Sequence, residues 1–227
     1  MKRILFYITN YPSYGGTEKV TTYLANTLCK LNYSVTILSF NCLAEELFQL
    51  LDKNVNCIFV PNQNQILCKE NGAFIKELFQ KEESFDWIIF QDTYSPIHKL
   101  LFQAGIELNQ KMIVVEHNSP CCHIIGYNNY WQRLKWFPWK NILRKLAYPY
   151  NIIKIYIRVS RRHIDLLKAS YKYILLSDKF KAEIHYLAGK QFDNKLYFIP
   201  NPLTLPSLDR KIPLNKKKNI VFMVDLW

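Results

Sequence analysis

Residues 1–20 read MKRILFYITNYPSYGGTEKV, and this stretch contains a strand, a turn and the start of a helix in that order. The apolar run from Ile4 to Ile8 has the length and composition of a buried β-strand. It ends in Asn-Tyr-Pro-Ser-Tyr-Gly-Gly, a sequence typical of a turn. A helix is then predicted from Thr17 to Leu31, with apolar residues along one face. This order predicts the first crossover unit of a parallel α/β sheet.

The same alternation continues along most of the chain. Six further short apolar runs lie at 35–40, 55–60, 86–90, 112–115, 173–176 and 196–199, separated by segments of helical pattern. Helices are expected at about 43–52, 70–82, 96–109 and 178–187, and in pieces between the fifth and sixth strands. Right-handed crossovers place helices on both faces of such a sheet. The sequence therefore predicts an α/β fold over residues 1–203, a Rossmann-like, doubly wound and mostly parallel sheet.

Composition excludes several classes of protein. The chain has 227 residues, of which 49% are hydrophobic, enough for a large core and too many for a disordered chain. No run of about 18 uncharged apolar residues predicts a membrane-spanning helix. The first apolar run is too short for a secretory signal. The six cysteines include no Cys-x-x-Cys pair, which argues against a zinc ribbon. These features predict a cytoplasmic location.

The positive charge is concentrated in residues 131–172. This segment holds eleven Lys and Arg and one Asp, so it carries +10 of the net charge of +12, and it is rich in Trp and Tyr. Basic and amphipathic aromatic residues together suit the headgroup layer of an anionic membrane. A solvated helical face with ordinary core aromatics remains open, and no motif supports nucleic-acid binding. The residues predicted to face the membrane are Trp136, Trp139, Arg144, Lys145, Arg158, Arg161 and Arg162.

Candidate binding residues follow the first strand. Gly15 and Gly16 stand between this strand and the first helix, at the sheet edge where parallel α/β domains bind ligands. Two glycines allow the backbone to approach a ligand closely, and a helix N-terminus offers free N–H groups to a phosphate. The pattern is neither Gly-x-Gly-x-x-Gly nor a Walker loop. By itself it also fits a tight turn.

Further polar residues follow other strands at the same edge. Glu116-His117-Asn118 ends the fifth strand, where His117 is either a structural residue or a group that contacts a sugar hydroxyl or polarises a reacting atom. Leu176-Ser177-Asp178 ends the sixth strand and also fits a helix cap. Ile199-Pro200-Asn201-Pro202 ends the seventh strand and also fits a rigid exit turn. Asp92, after the fourth strand, faces this edge too.

Taken in order, these motifs resemble a known family. The series is Gly15-Gly16-x-Glu18, Glu116-His117-Asn118, Leu176-Ser177-Asp178 and Ile199-Pro200-Asn201-Pro202, followed by a Lys-rich segment and an apolar strand. It resembles the N-terminal, acceptor-side half of a family 4 glycosyltransferase of the GT-B fold. The resemblance covers residues 1–224.

The resemblance implies a retaining, metal-independent hexosyltransferase of bacterial surface polysaccharide synthesis. Its substrates would be a nucleotide-sugar donor and a glycan or lipid-linked acceptor, with no separate cofactor. It would work at the inner face of the cytoplasmic membrane. His117 would be the catalytic residue, and Gly15 and Gly16 would lie near the donor diphosphate. The acceptor or sugar would contact Glu18, Asn118, Ser177 and Asn201.

Two features depart from the family pattern. The family's second domain carries a Gly-Arg-Leu-like turn and a Glu-x7-Glu pair, and no such Glu spacing occurs in this sequence. Residues 204–218 are expected to be an interdomain linker, and 219–227 the first strand of a donor domain that is cut short. The chain alone is therefore expected to be inactive. The alternatives are a non-catalytic module that binds a membrane or glycan, and an unrelated Rossmann-like enzyme that binds a nucleotide within this domain.

Overall fold

The computed structural model describes residues 1–80, 85–105, 107–108, 111–135 and 139–202. Its strands form one parallel sheet in the order β3-β2-β1-β4-β5-β6-β7. The strands are β1 (Arg3–Asn10), β2 (Ser34–Asn41), β3 (Asn56–Phe59), β4 (Trp87–Phe90), β5 (Met112–Glu116), β6 (Lys172–Leu175) and β7 (Leu196–Phe198). Each of the seven strands predicted within residues 1–203 is confirmed within two residues at either end.

Helices connect these strands. They are α1 (Gly16–Lys30), α2 (Lys69–Gln80), α3 (His98–Gln103), α4 (Cys122–Arg133), α5 (Trp139–Leu146), α6 (Tyr148–Ala169) and α7 (Phe180–Ala188). Residues Glu45–Leu50 and Lys190–Lys195 form short 3-10 helices. The Rossmann-like α/β fold predicted from the sequence is confirmed.

The hydrophobic core lies on both faces of the sheet because alternate residues of a strand point to opposite sides. Leu5 and Tyr7 of β1 belong to the larger core, which includes residues of α2, α3, α6 and α7. Phe6, between them, belongs to the smaller core, which includes residues of α1. Each fully buried apolar side chain of this kind contributes about 2 kcal/mol of transfer free energy.

Three helix predictions were wrong in detail. The helix expected at 43–52 is a 3-10 helix, and Ala44 at its start has no side chain that can cap it. The helix expected from Pro96 to about 109 is only α3, because Gly105 follows it with a φ of 71° and ends it. Asp178 does not cap α7 with its side chain, since Lys179 occupies the cap position. Its backbone carbonyl accepts a hydrogen bond from the Lys181 amide instead.

The fold determines where a ligand can bind. From β1 the chain builds outward through β2 and β3, then returns to β4 on the other side of β1. Such a reversal leaves a crevice at the carboxyl ends of β1 and β4, where ligands of doubly wound folds bind. The predicted linker at 204–218 and the strand at 219–227 lie outside the described residues, as does Trp136.

Candidate functional site

A small polar cavity of about 130 Å³ opens at this crevice. Its walls come from the ends of β1, β4 and β5 and from the first turn of α1. The lining residues are Ile8, Asn10, Thr17, Glu18, Gln91, Asp92, Thr93, Tyr94, His117 and Asn118. Three predicted site residues, Glu18, His117 and Asn118, therefore come together in one place.

His117 is held as a neutral imidazole. Its Nε2 lies 2.5 Å from Oε1 of Gln91, and an amide oxygen can only accept, so Nε2 carries the proton. The Nδ1 atom then keeps a lone pair for another donor. Burial lowers the pKa of His117 to about 4, against the attraction of the nearby Glu116 and Asp92 carboxylates. The ring is therefore uncharged near neutral pH.

Gln91 is a site residue that the sequence analysis missed. It is 3% exposed, and among the described residues its Nε2 has no hydrogen-bond partner. A buried donor without a partner costs about 1–3 kcal/mol, so it marks a place where a ligand or water belongs. The available signal was its position directly after β4, one residue before Asp92.

Asp92 shapes the cavity wall. Thr9 donates a hydrogen bond to its Oδ2. Its Oδ1 accepts from the amides of Tyr94 and Ser95 at 3.1 and 3.0 Å. With its oxygens engaged in this way, Asp92 ties the end of β1 to the loop after β4 and holds Gln91 in place.

Glu116 lies beneath the cavity rather than in it. It is fully buried, and it accepts hydrogen bonds from Thr93, His163 and Tyr173 at 2.7, 3.2 and 2.6 Å. Burial raises the pKa of this carboxyl, but the bonds and charge of His163, with Tyr173 and Thr93, outweigh it and hold the pKa below its ordinary value. Glu116 therefore anchors the end of β5, the position from which His117 projects.

The glycine turn lies beside the cavity. Gly15 is the N-cap residue of α1, which has no side-chain cap, and Gly16 opens the helix. A Cβ atom at Gly15 would collide with the carboxylate of Glu18, whereas one at Gly16 would meet no atom within 4 Å. Burial, and then the nearby Asp92, raise the pKa of Glu18, while its own amide lowers it. An acid thus occupies the helix N-terminus where a donor diphosphate was predicted.

The remaining predicted binding residues lie elsewhere. Ser177 follows β6 and its carbonyl accepts from the Phe180 amide, while the exposed Asn201 follows β7. In the strand order β6 and β7 lie beyond β5, so neither residue lines the cavity around His117.

The basic segment forms helices α4, α5 and α6. Tyr148 joins α6 to α4, because its ring stacks on Tyr127 at 5.8 Å, lies tilted against Trp131 at 4.4 Å, and its hydroxyl donates to Asn128 at 2.8 Å. Lys145 lies 5.5 Å from the centre of the Trp131 ring.

An apolar stripe runs along α5 and α6, which only Ala147 separates. Six large apolar side chains, 42–70% exposed, recur at intervals of three or four residues, so the three in α5 share one face of that helix and the three in α6 share one face of theirs. They are Trp139, Leu143, Leu146, Tyr150, Ile153 and Ile157.

The predicted membrane-facing cations are not equivalent. Arg158 and Arg161 are exposed, as is Arg144, which donates to the Tyr130 hydroxyl at 3.5 Å. Arg162 is partly buried, and its Nη1 donates to the carbonyl of Tyr94 at 2.6 Å.

Two absences concern the described residues alone. None of their helices is long and apolar enough to cross a membrane. Their His, Cys, Asp and Glu side chains form no group of three or more that could hold a metal ion.

Comparison with known proteins supports one class of protein. No protein-family model matches the chain. A Haemophilus influenzae protein described as an uncharacterized glycosyltransferase is 33% identical over 121 residues, which make up 52% of this chain. The match spans 33% of that protein. The chain is therefore similar in sequence to part of a glycosyltransferase.

Two solved structures are similar in fold. The crystal structure of Anabaena Alr3699/HepE in complex with UDP and glucose matches 88% of this chain and 44% of that protein, with a TM-score of 0.54 and 12% identity. A ugt transferase from Siraitia grosvenorii in complex with UDP, also 12% identical, matches 87% of this chain and 51% of its own length, with a TM-score of 0.45. The Anabaena match supports the Rossmann-like fold, and this chain spans less than half of that protein.

Proposed function

We propose that residues 1–203 form the acceptor-side domain of a hexosyltransferase of family 4, which moves a sugar from a nucleotide-sugar to a glycan or lipid-linked acceptor. The pathway would be bacterial surface polysaccharide synthesis. One observation carries the proposal: a neutral His117 and the unpartnered amide of Gln91 line one polar cavity at the switch point of the sheet. The similarity to a glycosyltransferase sequence supports it.

The two residues offer complementary hydrogen bonds to a sugar. The Nδ1 lone pair of His117 accepts from a hydroxyl group, and the Gln91 amide donates to one. Asn118 adds a donor and an acceptor at the same wall. With a pKa of about 4, His117 is suited to orient a hydroxyl near the reacting carbon rather than to carry a positive charge.

The donor diphosphate would approach the N-terminus of α1 at Gly15 and Gly16. Helix N–H groups and the dipole stabilise such an anion without a metal ion, which fits the metal-independent, retaining reaction that the sequence resemblance implies. Glu18 must then move away from Gly15 or take up a proton, and its raised pKa favours the second. The nucleotide-sugar is a substrate, so the reaction needs no cofactor.

The cavity is too small to be a whole active site. Ligand sites usually enclose about 300–1,000 Å³, against about 130 Å³ here. We propose that a donor-binding domain supplies the opposite wall, with 204–218 as the linker and 219–227 as its first strand. Residues 1–227 alone are then expected to bind acceptor and to transfer no sugar.

We propose that the apolar stripe docks the protein on the anionic inner face of the cytoplasmic membrane. Apolar side chains on one face of each helix, with Lys140, Arg144, Lys154 and Arg158 among them in the chain, have the composition of interfacial helices. The same stripe favours the second candidate, a non-catalytic membrane-binding module. Sugar transfer by the protein purified from its own cell distinguishes the two.

The test of function is transfer of labelled sugar from UDP- and GDP-sugars to lipid and glycan extracts, using the protein purified from its own cell. His117→Ala should lower transfer by about ten- to a hundredfold, the cost of one or two lost hydrogen bonds to the substrate. Lys30→Ala, at the far end of α1, is the control and should not. Tight UDP binding by residues 1–227, with no transfer by the native protein, would favour the unrelated nucleotide-binding enzyme.

The test of docking is flotation with vesicles of phosphatidylglycerol and phosphatidylcholine. Leu143→Glu should release the protein, because it places a charge in the apolar stripe. Leu50→Glu is the matched control, since Leu50 is 60% exposed and belongs to the 3-10 helix after β2. Equal flotation of both variants would refute docking through α5.

A further inference from the structure

A second and larger cavity, of about 1010 Å³, lies between α4 and α6. We call it the α4–α6 groove. Residues of α3 and of the loop before it complete the groove, and the cations that line it are Lys99, Lys154, Arg158, Arg161 and Arg162. Against these five stands one acid, Asp165. Across the described part of the chain, no ion pair involves any of the five cations.

Burial and the cations of the groove lower the pKa of two histidines in its walls. His123 lines the groove and its ring lies 5.1 Å from that of Tyr94. Its pKa is lowered first by burial and then by the charges of Arg162, His163 and Arg158. His98, on the opposite wall, also has a lowered pKa, through burial and the charges of Arg162 and Lys99. Both imidazoles therefore favour the uncharged form. The five lining cations, set against one acid, favour an anion in the groove.

Arg162 has unused donors within this groove. Its Nη1 donates to the carbonyl of Tyr94, and its guanidinium carbon lies 5.3 Å from the centre of the Tyr94 ring. Its Nε and Nη2 are buried and have no hydrogen-bond partner among the residues that the structure describes. A guanidinium held in one orientation with two donors unused matches the geometry of a phosphate group.

The groove also has an apolar wall, and it adjoins the apolar stripe. Ile155, Ile157 and Val159 line it beside the cations, and Ile157 belongs to both the groove and the apolar stripe. A ligand can therefore place a phosphate at Arg162 and a hydrocarbon chain toward the membrane. An inorganic phosphate would not use the apolar wall.

We propose that the α4–α6 groove binds the phosphate head of a single long-chain lipid phosphate. Tyr94 lines both this groove and the cavity at His117, so a group attached to the phosphate would point toward His117. The proposed lipid phosphate binding is supported by the residues of the groove alone. The role of the groove as the acceptor site rests on the proposed function.

The test is calorimetric titration of residues 1–227 with dodecyl phosphate below its micellar concentration. We expect saturable binding that Arg162→Gln and Arg158→Gln each weaken by about tenfold, as for loss of a charge-assisted contact. Lys140→Gln is the matched control, because Lys140 is an exposed cation of α5 that does not line the groove. Equally tight binding of inorganic phosphate or dodecyl maltoside would overturn the proposal.

Gly126 allows a second test that leaves the charge unchanged. It lies in α4 at the groove wall, and a Cβ atom there meets no atom within 4 Å. Gly126→Phe should therefore fold and fill the groove, abolishing dodecyl phosphate binding, while Gly126→Ala should bind within about twofold of the wild type. Unchanged binding by a folded Gly126→Phe variant would place the ligand outside the groove and overturn the proposal.

Membrane docking and sugar transfer are separable from this result. Gly126→Phe should still float with anionic vesicles, because the stripe is intact, and Leu143→Glu should still bind dodecyl phosphate. Loss of vesicle flotation and of dodecyl phosphate binding in both variants would show that the groove is not a discrete site. Failure of sugar transfer by the protein purified from its own cell would refute the proposed function and leave the proposed lipid phosphate site unaffected.

Discussion

Glu116 Oε2 and His163 Nε2 lie 3.2 Å apart in the core, although 47 residues separate them in the chain. The other ring nitrogen of His163 lies 2.9 Å from the carbonyl oxygen of Val159. The two ring nitrogens of His163 therefore face two acceptors, the carboxylate of Glu116 and the backbone carbonyl of Val159. This contact joins α6 to the end of β5, and so joins the basic helices to the strand that carries His117.

Glu116→Gln should destabilise the domain by about 3 kcal/mol, because one of the two carboxylate oxygens that accept three buried hydrogen bonds becomes an amide nitrogen, which cannot accept. Tyr173→Phe, which removes one hydrogen bond to the same carboxylate, should cost about 1 kcal/mol. Urea unfolding at pH 7 measures both. Equal costs would show that the charge of Glu116 is unimportant.

The contribution of Glu116 should depend on pH. Its pKa is lower in the folded than in the unfolded chain, so its contribution is complete above the ordinary carboxyl pKa of about 4.3 and is lost as the pH falls below it. The stability gap between wild type and Glu116→Gln should therefore narrow from pH 5 to pH 3. A constant gap over this range would contradict the ionised state.

His117 should stay neutral well below its ordinary pKa. Long-range ¹⁵N NMR of the imidazole should show the Nε2–H tautomer at pH 5.5, because burial lowers its pKa to about 4. As the pH falls, the imidazole is protonated in the unfolded chain before it is protonated in the folded one. The stability that His117 contributes is therefore complete above about pH 6.5 and is lost between about pH 6.5 and pH 4. A ring that titrates near 6.5 would contradict the buried contact with Gln91.

Gln91→Glu separates the two roles of the amide. A carboxylate keeps the acceptor for His117 Nε2 and removes the unpartnered donor. Its negative charge should raise the pKa of His117 from about 4 toward 6.5, which the same NMR titration detects. Transfer should fall by about tenfold with the loss of one donor to the sugar. Unchanged transfer would show that the Gln91 amide does not contact substrate.

The sequence was sufficient to predict the sheet. Apolar runs such as Ile4 to Ile8 are buried on both sides, so their composition alone identifies them. The helices were less predictable where one residue decides the boundary: Gly105 ends α3 early through its positive φ. No periodicity reveals that conformation.

The site was predictable only in part. His117, Asn118 and Glu18 could be found because each follows or begins an element at the carboxyl edge of the sheet. Gln91 could not, because its importance comes from a contact with His117 across 26 residues and from a donor that the fold leaves unpartnered. The groove at Arg162 likewise depends on the packing of α4 against α6. The sequence indicated only that this part of the chain is rich in cations.

Gly15 and Glu18 should be energetically coupled. A Cβ atom at position 15 meets the Glu18 carboxylate, so Gly15→Ala should displace that acid from the N-terminus of α1 and lose about 0.3–1 kcal/mol of helix-dipole stabilisation. In the Glu18→Ala background this part of the cost disappears, and a double-mutant cycle of unfolding free energies measures the difference. Gly16→Ala is the matched control, because it meets no atom within 4 Å and should show no coupling to Glu18. Additive effects of Gly15→Ala and Glu18→Ala would mean that Glu18 does not shield the helix end, and that a donor diphosphate could reach Gly15 without moving it.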